Sequence, residues 1–129
     1  MLKATILTPK MMTANETIVF DAFTNTNSNT SYDTGEFIIN TPGLYEIHVN
    51  MTVTGVTVGD AVLQGYDNGI LVPELVASGT SAISTDKIGL NIHDIIKVES
   101  AIGEKVRLTF RIPTTLMVNY ALVTITKVR

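Results

Sequence analysis

The chain has 129 residues and a formal net charge of −3 with only nine basic residues, so one domain is expected and a nucleic-acid footprint is excluded. Cys and Trp are absent, which removes a disulfide framework, a thiolate zinc site and a cysteine nucleophile. Val, Ile and Thr supply 46 residues and hydrophobic residues 45% of the chain, a β-branched composition that favours a compact all-β domain over disorder.

In chain order, the first 20 residues contain no apolar run long enough for a secretory leader, and no stretch of about 18 apolar residues occurs anywhere, so no membrane span is expected. Candidate strands run over Leu2–Thr8 and Thr17–Phe23. The polar, turn-rich segment Thr24–Thr34 reads as a long surface loop. Glu36–Asn40 is a short strand, and Pro42-Gly43 punctuates it before Tyr45–Val53. There Tyr45, Ile47, Val49, Met51 and Val53 alternate strictly with Glu46, His48, Asn50 and Thr52, the period of a strand with one face in a core. Ala61–Tyr66 and Ile70–Val76 flank Asp67-Asn68-Gly69, a strong hairpin signal because Asn-Gly tolerates the two positive φ values of a type I′ turn. Ile92–Ser100, Val106–Ile112 (stopped by Pro113) and a long final strand from Leu116 to Arg129 complete the set. Short strands at this spacing, with no helical period, point to a sandwich or jelly roll. Charge is uneven: residues 1–75 carry −6 and residues 76–129 carry +3, as expected of two halves that interleave in one fold.

Gly35-x-Phe37, five residues, then Gly43-x-Tyr45 followed by alternating apolars resembles the signature of the complement-q globular head and tumour necrosis factor superfamily. Asn27-x4-Tyr32 upstream fits the same signature. Leu63 to Gly69 resembles that family's strand and Asn-Gly hairpin, and Leu90 to Ile96 resembles its Leu-x-x-Gly-Asp-x-Val element with His93 in place of Gly. Tyr120-Ala121-Leu122 resembles its closing strand. Stand-alone bacterial and bacteriophage members are the nearest kind. The resemblance implies a ten-stranded antiparallel jelly-roll sandwich that assembles as a compact homotrimer about a threefold axis, and a recognition or structural module, not an enzyme.

The same resemblance sets Glu46, His48 and Asn50 against the threefold axis, joined by Met117, Ala121 and Val123 from the last strand, with Tyr120 and Leu122 turned inward. Closed cyclic symmetry repeats each such side chain three times. His48 then pairs with Glu46 or a neighbouring carbonyl, or else three copies hold a metal ion on the axis, since imidazoles suit zinc or nickel. Asp60, Asp67 and Asp86 form a second candidate cation set, for calcium, if they gather at one end of the sandwich. Asp94 is expected in a turn that caps backbone donors. Asn25, Asn27, Asn29 and Tyr32 offer hydrogen-bond groups and an aromatic ring for a sugar or protein receptor. His93 and Asp94 are sequence neighbours, so on a strand they face opposite ways and form no relay. No phosphate-cradling loop or metalloprotease motif occurs.

The function expected is a non-enzymatic trimeric module of a bacteriophage virion (head fibre, decoration or fibre-tip knob), with a capsid or other virion protein as partner. The alternative is a carbohydrate- or receptor-binding module on a bacterial surface. Residues 1–15 are expected to add an N-terminal strand or dock on a partner.

Overall fold

The computed structural model describes residues 1–26, 28–55, 59–81, 86–99 and 105–129. Its strands are β1 (Leu2–Ile6), β2 (Lys10–Met12), β3 (Ala22–Asn25), β4 (Thr30–Asp33), β5 (Glu36–Ile39), β6 (Gly43–Gly55), β7 (Gly59–Asp67), β8 (Ile70–Ser81), β9 (Lys87–Val98), β10 (Val106–Arg111) and β11 (Leu116–Lys127). All pairings are antiparallel. One sheet has the order β3-β1-β11-β6-β9, and the other β4-β5-β10-β7-β8. β1 and β2 pair successive stretches of β11, so they act as one interrupted strand and the sandwich counts ten. Each sheet mixes strands from both halves of the chain, which is why the two unlike charge blocks coexist.

The alternation in β6 is realised as read: Tyr45, Ile47, Val49, Met51 and Val53 are fully buried between the sheets. Phe37 and Phe110 meet edge to face at 5.9 Å, and Phe37 meets Phe20 in the same way at 5.5 Å, an arrangement that adds about 0.5–1.5 kcal/mol per pair beyond area burial. The Tyr45 hydroxyl, deep in this core, donates to the Thr41 carbonyl at 2.7 Å and also lies 2.8 Å from the Thr41 hydroxyl. The β7–β8 hairpin has both turn residues at positive φ, Asn68 at 50° and Gly69 at 82°, as the Asn-Gly pair requires. In β8 the residues from Val72 to Leu75 bulge opposite Gly65, and Pro73 sits in that bulge on an edge strand, where a missing N–H costs no ladder bond.

Three expectations are corrected. The segment 24–34 is not one loop, because it holds half of β3 and all of β4 with only residues 26–29 between them; these strands are polar because they form the sheet edges. Thr17–Phe23 is mostly a crossing from one sheet to the other. Thr17 bridges Arg111 and Ile18 N–H donates to the Phe110 carbonyl, whereas Asp21 N–H donates to Thr5. The third concerns β11. A β-bulge lies between Val118 and Tyr120, and the extra residue, Asn119, inverts the alternation. Leu116 and Val118 face the core, and so do Ala121, Val123 and Ile125, while Tyr120 and Leu122 turn outward. Ala121 and Val123 are therefore core residues and not members of an outer face. The N-terminal residues are likewise built into the sheet, with Leu2, Ala4 and Ile6 fully buried.

Candidate functional site

The outer face of the β3-β1-β11-β6-β9 sheet carries the polar positions of β6. Strand register aligns them in rows: Lys3, Thr124, His48 and His93 in one, Leu122, Asn50 and Asn91 in the next, and Thr126, Glu46 and Ile95 on the other side. Glu46, His48 and Asn50 thus lie where the sequence placed them, and half-buried Met117 shares the face opposite Thr54. Within one protomer Glu46 pairs with His93 and not with His48. The Glu46 carboxylate lies 3.6 Å from Nε2 of His93, and the rings of His48 and His93 sit side by side with centroids 5.1 Å apart. His93 is the residue that strand-by-strand reading misses. Its only signal is the β6–β9 register, which puts the two histidines directly opposite each other. Among the described residues no three His, Asp or Glu side chains come together as a metal group.

The calcium set does not form. Asp60 and Asp67 lie near opposite ends of nine-residue β7, roughly 20 Å apart at the strand rise of about 3.3 Å per residue. Both carboxylates have structural work: Asp60 accepts from the Thr80 hydroxyl, and Asp67 accepts from the Arg107 N–H and the Asn68 amide. Asp86 precedes β9 and has a partner of its own. Asp94 is in mid-strand, not in a turn, where its carboxylate accepts the Ile95 N–H at 2.8 Å.

The proposed sugar-binding group is tied up internally. The Tyr32 hydroxyl accepts from the N–H groups of both Phe20 and Gly35, at 2.8 and 2.9 Å. Its ring packs on Phe23 and Phe37. Asn25 donates to the Thr30 carbonyl, and Asn29 accepts from the Thr41 hydroxyl. Asn27 lies outside the described residues. Tyr32 is therefore an anchor for two backbone donors and not an exposed stacking platform.

Among the uncovered apolar surfaces of the described residues, two lie at opposite edges of the β3-β1-β11-β6-β9 sheet. One is a groove of about 310 Å³ lined by Lys3, Thr5, Leu7, Phe23 and Tyr120, in which Leu7 is 67% and Phe23 53% exposed. The other follows the opposite edge, where β8 and β9 run together: Ile70 is 73% and Ile95 52% exposed, and Ile95 shares a cleft with Val72 and Glu74. The first patch carries Lys3, and the second carries Asp67, Glu74 and Lys97.

No protein-family model matches the sequence, and no curated protein matches it. Among solved structures, the chain is similar to the Eiger TNF of S. frugiperda, with 10% identity, 98% of this chain and 94% of that one covered, and a TM-score of 0.65. It is similar to murine APRIL at pH 5.0, with 8% identity, 95% and 98% covered, and a TM-score of 0.63. It is also similar to the PRD1 vertex protein P5, with 19% identity, 99% and 96% covered, and a TM-score of 0.59. At such identities the likeness concerns the fold, which is an all-β jelly roll of tumour necrosis factor-like type.

Proposed function

We propose that the protein is a non-enzymatic, homotrimeric structural or recognition module of a virion, a head fibre, decoration or fibre-tip knob. The trimer is carried by one observation: the two exposed apolar patches are unlike and lie at opposite edges of one sheet. A face that matches itself would give a twofold dimer, whereas two complementary patches give a head-to-tail contact, which makes a ring where the rotation closes and an open filament where it does not. The edge bearing Ile70, Val72 and Ile95 seats in the neighbour's groove beside Leu7, Phe23 and Tyr120, with Glu74 facing Lys3 across the contact. Three copies close the ring, and Glu46, His48, His93 and Asn50 line its inner side. The similarity to a bacteriophage vertex protein supports placing the module on a virion, with a capsid protein as its further partner.

The test is the mass in solution by sedimentation equilibrium. Wild type is expected near three times 14.0 kDa, and Ile95→Glu, which sets a charge in the apolar contact, near a single chain. A wild type that stays monomeric at micromolar concentration overturns the reading.

A further inference from the structure

The sheet face opposite the proposed ring contact holds a second arrangement. On β10, Arg107, Thr109 and Arg111 point outward, away from the buried Leu108, Phe110 and Ile112. Register sets Arg111 beside Gln64 and Thr109 beside Tyr66 on β7. The two arginines differ in kind. Arg107 is neutralised by Glu36 at 2.7 Å. Arg111 lies with its guanidinium 4.7 Å from the centroid of the Tyr66 ring and meets no carboxylate and no hydrogen-bond acceptor among the described residues. Its Nε is buried and unpaired, and so is the hydroxyl of Thr109 two residues away. The Tyr66 hydroxyl donates to Oε1 of Gln64 at 3.1 Å, which fixes that amide with its NH2 end free.

Leaving a buried donor or acceptor unpaired costs about 1–3 kcal/mol. Two such atoms, beside a guanidinium that meets no carboxylate among the described residues, break a local rule, and such places mark function. Stacking on Tyr66 holds the guanidinium plane in one orientation, so its terminal nitrogens form a pre-set fork for a carboxylate. The four side chains span two strands and two alternate residues, roughly 5 by 7 Å from strand spacing and rise. That is the footprint of one sugar ring and far below the ~800 Å² per partner of a stable protein interface. We propose that Arg111, Tyr66, Gln64 and Thr109 form a binding site for a carboxylate-bearing sugar residue, with the carboxylate on the terminal nitrogens of Arg111, a ring hydroxyl on the Gln64 amide and Thr109 as part of the wall. The site is complete within one protomer, so it stands whether or not the trimer does.

The test is amide chemical-shift titration of the whole chain with 3′-sialyllactose, oligogalacturonate, lactose and sodium acetate. At least one acidic sugar is expected to shift the amides of Gln64, Tyr66, Thr109 and Arg111 at millimolar concentration, with lactose and acetate at least tenfold weaker. Arg111→Lys, which keeps the charge and loses the planar fork, is expected to weaken binding tenfold or more with the spectrum otherwise unchanged. Arg107→Gln, on the same face, is expected to bind like wild type. Absence of shifts with both acidic sugars, acetate acting as strongly as they do, or equal losses in the two arginine variants would each overturn the proposal. None of these results bears on the mass in solution, so failure here and failure of the trimer are separate.

Discussion

Deleting Asn119 tests the account of β11, because this one residue is the surplus in the strand. Without it Val118 and Tyr120 become neighbours, and Leu116, Val118, Ala121, Val123 and Ile125 fall in strict alternation on the core side, each still opposite its present partner on β6. No side chain has to turn over, so the deletion removes only the bulge and the 2.6 Å hydrogen bond from the Asn119 amide to the Thr54 hydroxyl, a loss of about 1 kcal/mol. Deleting Met117 instead leaves the surplus residue in place, and either Leu116 or Val118 must leave the core. Each is a buried aliphatic side chain, and its withdrawal costs about 1.5–3 kcal/mol, a large share of the whole stability of a domain, about 5–15 kcal/mol. Guanidinium unfolding followed by circular dichroism measures both. The Asn119 deletion is expected to stay within about 1 kcal/mol of wild type, and the Met117 deletion to lose clearly more. An Asn119 deletion as damaging as the Met117 deletion would refute the parity argument.

Tyr32→Phe keeps the ring contacts and strands the N–H groups of Phe20 and Gly35; a loss of about 1–3 kcal/mol is expected in the same assay, with near-wild-type stability contradicting its role as an anchor. Gly69→Val puts a β-branched residue at φ 82° with open space around it, so the loss is pure backbone strain of about 1–3 kcal/mol, and Gly69→Asn is expected to recover most of it. Phe37→Ala opens a void among Phe20, Tyr32 and Phe110 and is expected to cost about 3–5 kcal/mol, read as a lower thermal midpoint.

Particular residues show where sequence reasoning reaches its limit. The β6 alternation and the Asn68-Gly69 turn were legible because each is a local pattern with a single structural solution. The parity of β11 was not, since Tyr120, Ala121, Leu122 and Val123 are apolar at successive positions and either alternate set can fill a core. The Thr24–Thr34 segment looked like a loop because an edge strand has no need of apolar residues on both faces. The sequence shows His93 only beside Asp94, because its cross-strand neighbour His48 is 45 positions away and only the β6–β9 register joins them. Arg111 was hidden for the same reason: its stacking on Tyr66, like the lack of a counter-ion for it among the described residues, is a property of the folded face.

The central claim is that two unlike patches, the Ile95 edge and the Tyr120 groove, meet between copies of this chain. Its most direct measurement exploits the absence of cysteine. A variant carrying both Ile95→Cys and Tyr120→Cys, treated with a short bismaleimide, is expected to run on a denaturing gel as a covalent species of three chains, while each single variant stays a single chain. A dimer band from Ile95→Cys alone, or no cross-link in the double variant, would contradict it.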